Sequence, residues 1–162
     1  RWCKKVCEPM LRQARKLSND ETQNLTQLEN VWYEGLDGSA DHYNWTRYHA
    51  LNLHSVFYRG TVEWRCFNST LHAGRAAAYV NLCLAISAQA IAQRSTVMRK
   101  TQSENELFTF RTWLVRMGLN GAEFKNTRNH LLANLEGDRA WRYDKDQYPS
   151  AKKKKKSRES ER

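Results

Sequence analysis

The segment Thr61-Val62-Glu63-Trp64-Arg65 sets a carboxylate and a guanidinium two positions apart in a stretch where polar and apolar residues alternate. On a strand, residues i and i+2 project from the same face, so Glu63 and Arg65 can reach one ligand together. A carboxylate holds Mg²⁺, a hard cation that prefers oxygen ligands. A guanidinium grips a phosphate or a carboxylate through its planar fork. Side by side, the two suit a metal–nucleotide site. A cross-strand ion pair on a solvated sheet face uses the same residues at the same spacing, and spacing alone leaves both readings open. Other chemistries find less support. Cys3 and Cys7 are four apart, no CxxC pair occurs, and no His follows at zinc-finger spacing. The four cysteines read as free thiols of a reducing compartment. There is no GxSxG elbow, and no cysteine has a recognisable His partner motif. His49 and His54 read as structural or exposed, since neither has a second ligand at metal spacing.

A period of two runs through Ala50 to Phe57 and again through Thr61 to Phe67, with Tyr58-Arg59-Gly60 between. This predicts a β-hairpin, with Gly60 free to take a positive φ. Leu51 and Leu53 then share one face of the first strand, and Asn52 and His54 the other. A helix over 73–93 follows, Ala-rich and apolar over much of its girth, which predicts a buried helix packed across the sheet. Upstream, Trp2, Val6, Met10, Ala14 and Leu17 recur at spacings of three and four, and Pro9 marks a kink or a late start. Ser18-Asn19-Asp20 supplies caps for a second short helix carrying Leu25, Leu28 and Val31 or Trp32. Downstream, a polar linker leads to two helices, about 105–117 and 121–135, joined by a Gly118–Gly121 turn.

These elements fit one ordinary domain of 162 residues, 40% apolar, with six Trp, seven Tyr and five Phe as core material. The most apolar stretch, Ala76 to Ala92, is broken by Asn81, Ser87 and Gln89, short of the roughly 20 apolar residues of a membrane span. The expectation is a soluble, cytoplasmic protein with no membrane partner. Of the net charge of +10, half lies in residues 152–162, KKKKKSRESER. Such a tail is expected to be solvated and disordered, with at most weak contact to nucleic acid or acidic surfaces. The chain starts in mid-pattern without an initiator Met, as a fragment or trimmed product would.

The stretch Arg47-Tyr48-His49-Ala50-Leu51-Asn52-Leu53-His54-Ser55, then Gly60 to Gly74 around Thr-Val-Glu-Trp-Arg, then Tyr79 to Gln89, resembles the C-terminal portion of the amidoligase family. These bacterial and mobile-element proteins belong to the glutamine-synthetase-like carboxylate–amine ligases. The resemblance covers most of residues 1–142. It implies ATP-dependent amide formation: a substrate carboxylate takes the γ-phosphoryl group as an acyl phosphate, and an amine displaces phosphate. Its substrates would be a small-molecule or peptide carboxylate and an amine, with ATP and Mg²⁺ (or Mn²⁺) as cofactors. Carried over by motif, Glu63 is the strand carboxylate that coordinates the metal. Arg65 stabilises the transferring phosphoryl group or binds substrate carboxylate, an electrostatic role. Arg47, Asn52, Asn68 and His72 fall in the matching stretches and rank behind them: Arg47 for an anionic substrate group, the other three for the cofactor. Each also has a plain reading, with Asn68 as a helix cap, His72 as a first-turn residue and Arg47 as a surface charge.

The family's other metal ligands, a Glu-x-Glu strand and a His-x-His strand, have no counterpart here. One strand carboxylate does not hold Mg²⁺-ATP usefully, so the chain is expected to need a missing N-terminal half of the same protein. The fold expected is α+β: a mostly antiparallel sheet forming part of a glutamine-synthetase-like catalytic domain and backed by helices (1–95), a C-terminal helical hairpin (104–142) and a basic tail (143–162). Two other readings compete. One is a nucleic-acid-binding module that uses the C-terminal helix pair, through Lys125, Arg128, Asn129 and His130, together with the Lys run. The other is an inactive remnant.

Overall fold

A computed structural model describes residues 3–6, 8–17 and 25–143. The capping residues Ser18 to Asp20, Cys7 and the basic run therefore lie outside the described residues. The fold is α+β, with six α-helices and one two-stranded antiparallel sheet among the described residues. The chain divides into two compact units. The first comprises residues 1–69 and 93–100, and the second 70–92 and 101–162.

In the first unit, α1 (Glu8–Leu17) packs against α2 (Leu25–Trp32). The helix begins late, with Pro9 in its first turn, where a missing N–H costs nothing. Ahead of it, Lys4 runs beside His49: the Lys4 N–H donates to the Tyr48 carbonyl (2.7 Å), and the Ala50 N–H to the Lys4 carbonyl (2.8 Å). The sheet pairs β1 (Leu51–Asn52) with β2 (Glu63–Trp64), placing Leu51 opposite Trp64 and Asn52 opposite Glu63.

The predicted pair of strands is thus present, but far shorter than the alternation suggests and joined by a helix in place of a tight turn. From His54 to Arg59 the chain forms α3 instead of extending β1. The Val56 N–H closes a turn on the Leu53 carbonyl (2.9 Å) and the Asn52 amide donates to Ser55 Oγ (3.0 Å), so the chain coils locally. Gly60 does take the left-handed conformation (φ 71°), but as the C-cap of α3, with its N–H on carbonyls of the last turn. Trp32 and Tyr33 form the apolar floor, and the Trp32 indole donates to Thr46 Oγ1 (2.9 Å).

The second unit holds α4 (Ala73–Ala92), α5 (Glu106–Arg116) and α6 (Lys125–Leu132), with α6 packed against both others. Leu107, Leu114, Leu119 and Leu132 are its buried apolar residues, beside Ala78 and Leu82 of α4. Asn105 caps α5, accepting from the Phe108 N–H (2.9 Å), while its amide donates to the Asp138 and Trp141 carbonyls. Gly74 admits the His130 ring, which a Cβ would meet at 2.7 Å.

The expectation that α4 is buried fails. Only Ala78 and Leu82 are buried, while Val80, Leu84 and Ile91 are more than half exposed. Its alanines give high helix propensity and little reach, so one partner helix covers one narrow face. By length and composition, at mean hydropathy 1.2, α4 also meets the measure of a membrane span. It is nevertheless tied to α6 by a polar contact, Asn81 Nδ2 to Thr127 Oγ1 (2.8 Å).

Arg128 of α6 points its guanidinium at the turn that precedes it, donating to the carbonyls of Leu119 (2.8 Å), Asn120 and Gly121 (3.0 Å). Hydrogen bonds from a charged group are the stronger kind, so Arg128→Met is expected to cost about 2 kcal/mol in urea unfolding. A loss below a few tenths would show that the turn holds without it.

Candidate functional site

The sheet register brings the sequence candidates together. Asn52 is 1% exposed on β1 directly across from Glu63, and its Nδ2 donates to Glu63 Oε2 at 2.6 Å. Ser55, the second residue of α3, donates to the same oxygen (3.4 Å). Arg65 Nη1 donates to Glu63 Oε1 at 3.0 Å. The guanidinium of Arg65 lies over the Tyr48 ring, 5.4 Å from its centroid, and Cys3 Sγ meets the Arg65 carbonyl (2.8 Å). Both oxygens of Glu63 are therefore engaged by donors.

Burial alone would raise the Glu63 carboxyl. The Asn52 hydrogen bond, the charge and hydrogen bond of Arg65, and the more distant Arg47 outweigh it and hold Glu63 below the usual carboxylate range. It is ionised at neutral pH.

Asn52, Ser55 and Glu63 line a cleft of about 410 Å³ in the first unit together with Arg47, His54 and Arg59, while Arg65 is not among its lining residues. The Arg47 guanidinium sits near the Tyr43 and Tyr48 rings and donates to the His42 carbonyl (3.5 Å). His54, read from sequence as structural or exposed, is buried, with Nδ1 2.5 Å from the Tyr33 hydroxyl and its ring stacked on Tyr58. Burial holds the Tyr33 phenol up at about 12, with Glu29, Asp37 and Asp41 adding to the shift.

Burial also pushes His54 below the usual histidine range. Arg47 adds to this, while Asp41 and the carbonyls of His42 and Asp41 only partly oppose it. The unfolded chain therefore binds the His54 proton first, near pH 6.5, and stability falls as pH drops through that value toward the lower folded one. The contribution of Glu63 is complete above about pH 4.3 and is lost as pH falls through its depressed folded value. Urea midpoints are expected to fall between about pH 7.5 and about pH 5 through His54, then further under stronger acid through Glu63. A flat profile above about pH 5 would contradict the buried neutral imidazole.

Two candidates stand apart from this cluster. Asn68 is an exposed loop residue after β2 and does not line the cleft. His72 belongs to the second unit, where it behaves as its plain reading has it: Nδ1 accepts from the Arg75 N–H (3.3 Å) at the start of α4, and the ring packs edge-on against His130. Conversely, the sequence assigns Ser55 and Arg59 no role, and His54 only a structural or exposed one. Asn52, Ser55 and Arg59 recur at i, i+3 and i+7, the spacing of one helix face, and that was the available signal.

As a metal site the cluster is partial. No group of three His, Cys, Asp or Glu converges among the described residues. Glu63 offers one carboxylate, and Asn52 Oδ1 is a buried oxygen with no partner. Both suit a hard cation as part of a ligand set, whereas such an ion takes six or more oxygens.

The residues proposed for a nucleic-acid interface are largely engaged within the protein. Arg128 is held by its three carbonyls, Asn129 accepts from Arg139 (3.4 Å), and His130 packs on His72. That leaves Lys125 of the four on α6, too little to read a groove.

An ionised strand carboxylate gripped by an amide and a guanidinium, beside a polar cleft of an α+β unit, is an arrangement able to bind a ligand. The chain belongs to the family described as "Putative amidoligase enzyme", whose model matches residues 1–87, the part of the chain that contains Arg47, Asn52, Glu63 and Arg65. No curated protein and no solved structure matches it.

Proposed function

We propose that the protein is an ATP-dependent carboxylate–amine ligase of the cytoplasm, acting on a small-molecule or peptide carboxylate and an amine. The observation that carries this reading is the Asn52–Glu63–Arg65 cluster, at the position where the family model matches. In the proposed reaction a carboxylate oxygen attacks the γ-phosphorus of ATP and ADP leaves. The amine nitrogen then attacks the acyl carbon, phosphate leaves, and the nitrogen gives up a proton. A Mg²⁺ or Mn²⁺ ion would neutralise phosphate charge.

Within that scheme Glu63 and Asn52 Oδ1 would supply oxygen ligands to the cation. Arg65 keeps Glu63 ionised and oriented, and its positive charge offsets negative charge on the transferring group. Arg47 receives an anionic substrate group. Because one carboxylate is too few, the remaining ligands come from outside the described residues, and we assign them to an N-terminal half of the same protein. The test is Mg²⁺-dependent phosphate release from ATP, with a mixture of carboxylates and amines, by this chain together with the polypeptide encoded upstream of it. Amide product identified by mass spectrometry supports the reading, and ATP left intact under every combination defeats it.

A further inference from the structure

Arg47 and Arg59 both stand in the wall of the cleft. Neither forms an ion pair among the described residues, although the charge of Arg47 acts on Glu63. Each is held by aromatic and imidazole groups instead. Arg47 lies near Tyr43 and Tyr48, and Arg59 lies over Tyr58 (5.6 Å) while donating to His42 Nε2 (3.1 Å). Two oriented guanidinium groups without a hydrogen-bonded carboxylate favour an anion in the cleft.

His54 adds a second, independent observation. It is 3% exposed, its side chain lines the same cleft, and its buried Nε2 makes no hydrogen bond, although the carbonyls of His42 and Asp41 lie close enough to act on the ring. The other ring nitrogen meets Tyr33, whose buried hydroxyl has no other recorded acceptor. If Nδ1–H donated to Tyr33, the phenolic hydrogen would be left unpaired. With Tyr33 O–H donating to Nδ1 both groups are satisfied, and the imidazole proton sits on Nε2. The cleft wall therefore holds a buried N–H donor that forms no hydrogen bond, beside two arginines that make no ion pair. Buried donors without acceptors are uncommon and ask for a ligand.

We propose that His54 Nε2–H, Arg47 and Arg59 form an oxyanion-binding subsite that receives a carboxylate or phosphoryl oxygen of a bound ligand. The subsite assigns part of the ligase site proposed above and rests on that reading for its biological ligand, but anion binding is measured without turnover. Tyr33 acts as a positioning residue, fixing the tautomer through which His54 donates.

The experiment is a long-range ¹H–¹⁵N correlation spectrum of the imidazole rings in the full chain, titrated with sodium succinate and, separately, with sodium phosphate at constant ionic strength. The free protein should show His54 as the Nε2–H tautomer, and its Nε2 resonance should move saturably with added anion. Movement with succinate alone assigns the subsite to a substrate carboxylate. Movement with phosphate alone assigns it to a phosphoryl group, and movement with both retains the shared chemistry. Arg59→Gln, an exposed change that leaves the core untouched, should weaken the response about tenfold.

The inference is overturned if His54 is unmoved by either anion at millimolar concentration, or if Arg59→Gln and Arg47→Gln leave the affinity unchanged. Turnover of ATP by a protein whose His54 ignores both anions would refute the subsite and leave the ligase reading standing. Anion binding with no ATP turnover would do the reverse.

Discussion

Glu63→Gln is expected to lower ATP-dependent amide formation by about 10³-fold or more while the protein stays folded. The substitution keeps the shape of the side chain and removes its charge. In the wild type, Glu63 accepts from Asn52 Nδ2 on one oxygen and from Arg65 Nη1 on the other. Glutamine retains one acceptor, and its NH₂ group must face the other donor. That mismatch is expected to cost about 1 kcal/mol of stability, a modest figure because the Glu63 side chain is 42% exposed and solvent screens the pair. The chemical loss is of another order. A neutral amide oxygen is a far weaker ligand for a hard cation than a carboxylate, and Arg65 is left as an uncompensated charge beside the reacting groups. Parallel assays of phosphate release and of thermal unfolding separate the two effects. Activity within tenfold of wild type would remove Glu63 from the metal's ligands; collapse of the fold would show that its role is structural.

The parts of this site that were legible in the sequence are those fixed by strand geometry. Glu63 and Arg65 share a face because the strand period is two, and the same period puts Asn52 on the polar face of the first strand; its place opposite Glu63 depends on α3 replacing the tight turn. What stayed hidden depends on where the strand stops. Six residues, His54 to Arg59, form less than two turns of helix, too short for a 3.6-residue period to stand out against the alternation around it. Coiling there brings Ser55 onto Glu63 and carries Arg59 into the cleft wall; a continued strand would have kept both away. Burial was harder to read than secondary structure. His54 is polar and buried because Tyr33 supplies a partner 21 residues away, a long-range contact that no local pattern announces. Helix α4 errs the other way, since composition made it look enclosed and its partner covers only Ala78 and Leu82. The Asn105 cap and the Arg128 turn contacts likewise join segments across loops, where single-sequence periodicity carries no signal.

Asn52→Ala is expected to destabilise the protein by about 3 kcal/mol and to raise the Glu63 pKa, two consequences of one lost group. Asn52 is among the largest fully buried side chains, and its amide donates at once to Glu63 Oε2 and to Ser55 Oγ. Truncation removes a charge-assisted bond and a neutral one, strands the partners in a partly dry setting, and opens a small void against β2. For Glu63 the largest influence is burial, which raises its pKa, and the Asn52 hydrogen bond is the first of those that lower it. Without Asn52, burial meets only the two arginines, so the carboxyl titrates higher and the acid limb of stability moves to higher pH. Urea unfolding at neutral pH measures the first effect, and carboxyl ¹³C shifts of Glu63 measure the second. A stable variant with an unmoved Glu63 would mean that Arg65 alone organises the carboxylate. The expected pair of changes would instead make Asn52 the residue that lets an ionised glutamate exist on this sheet, with its own unpartnered Oδ1 left beside the carboxylate as a second oxygen for a ligand.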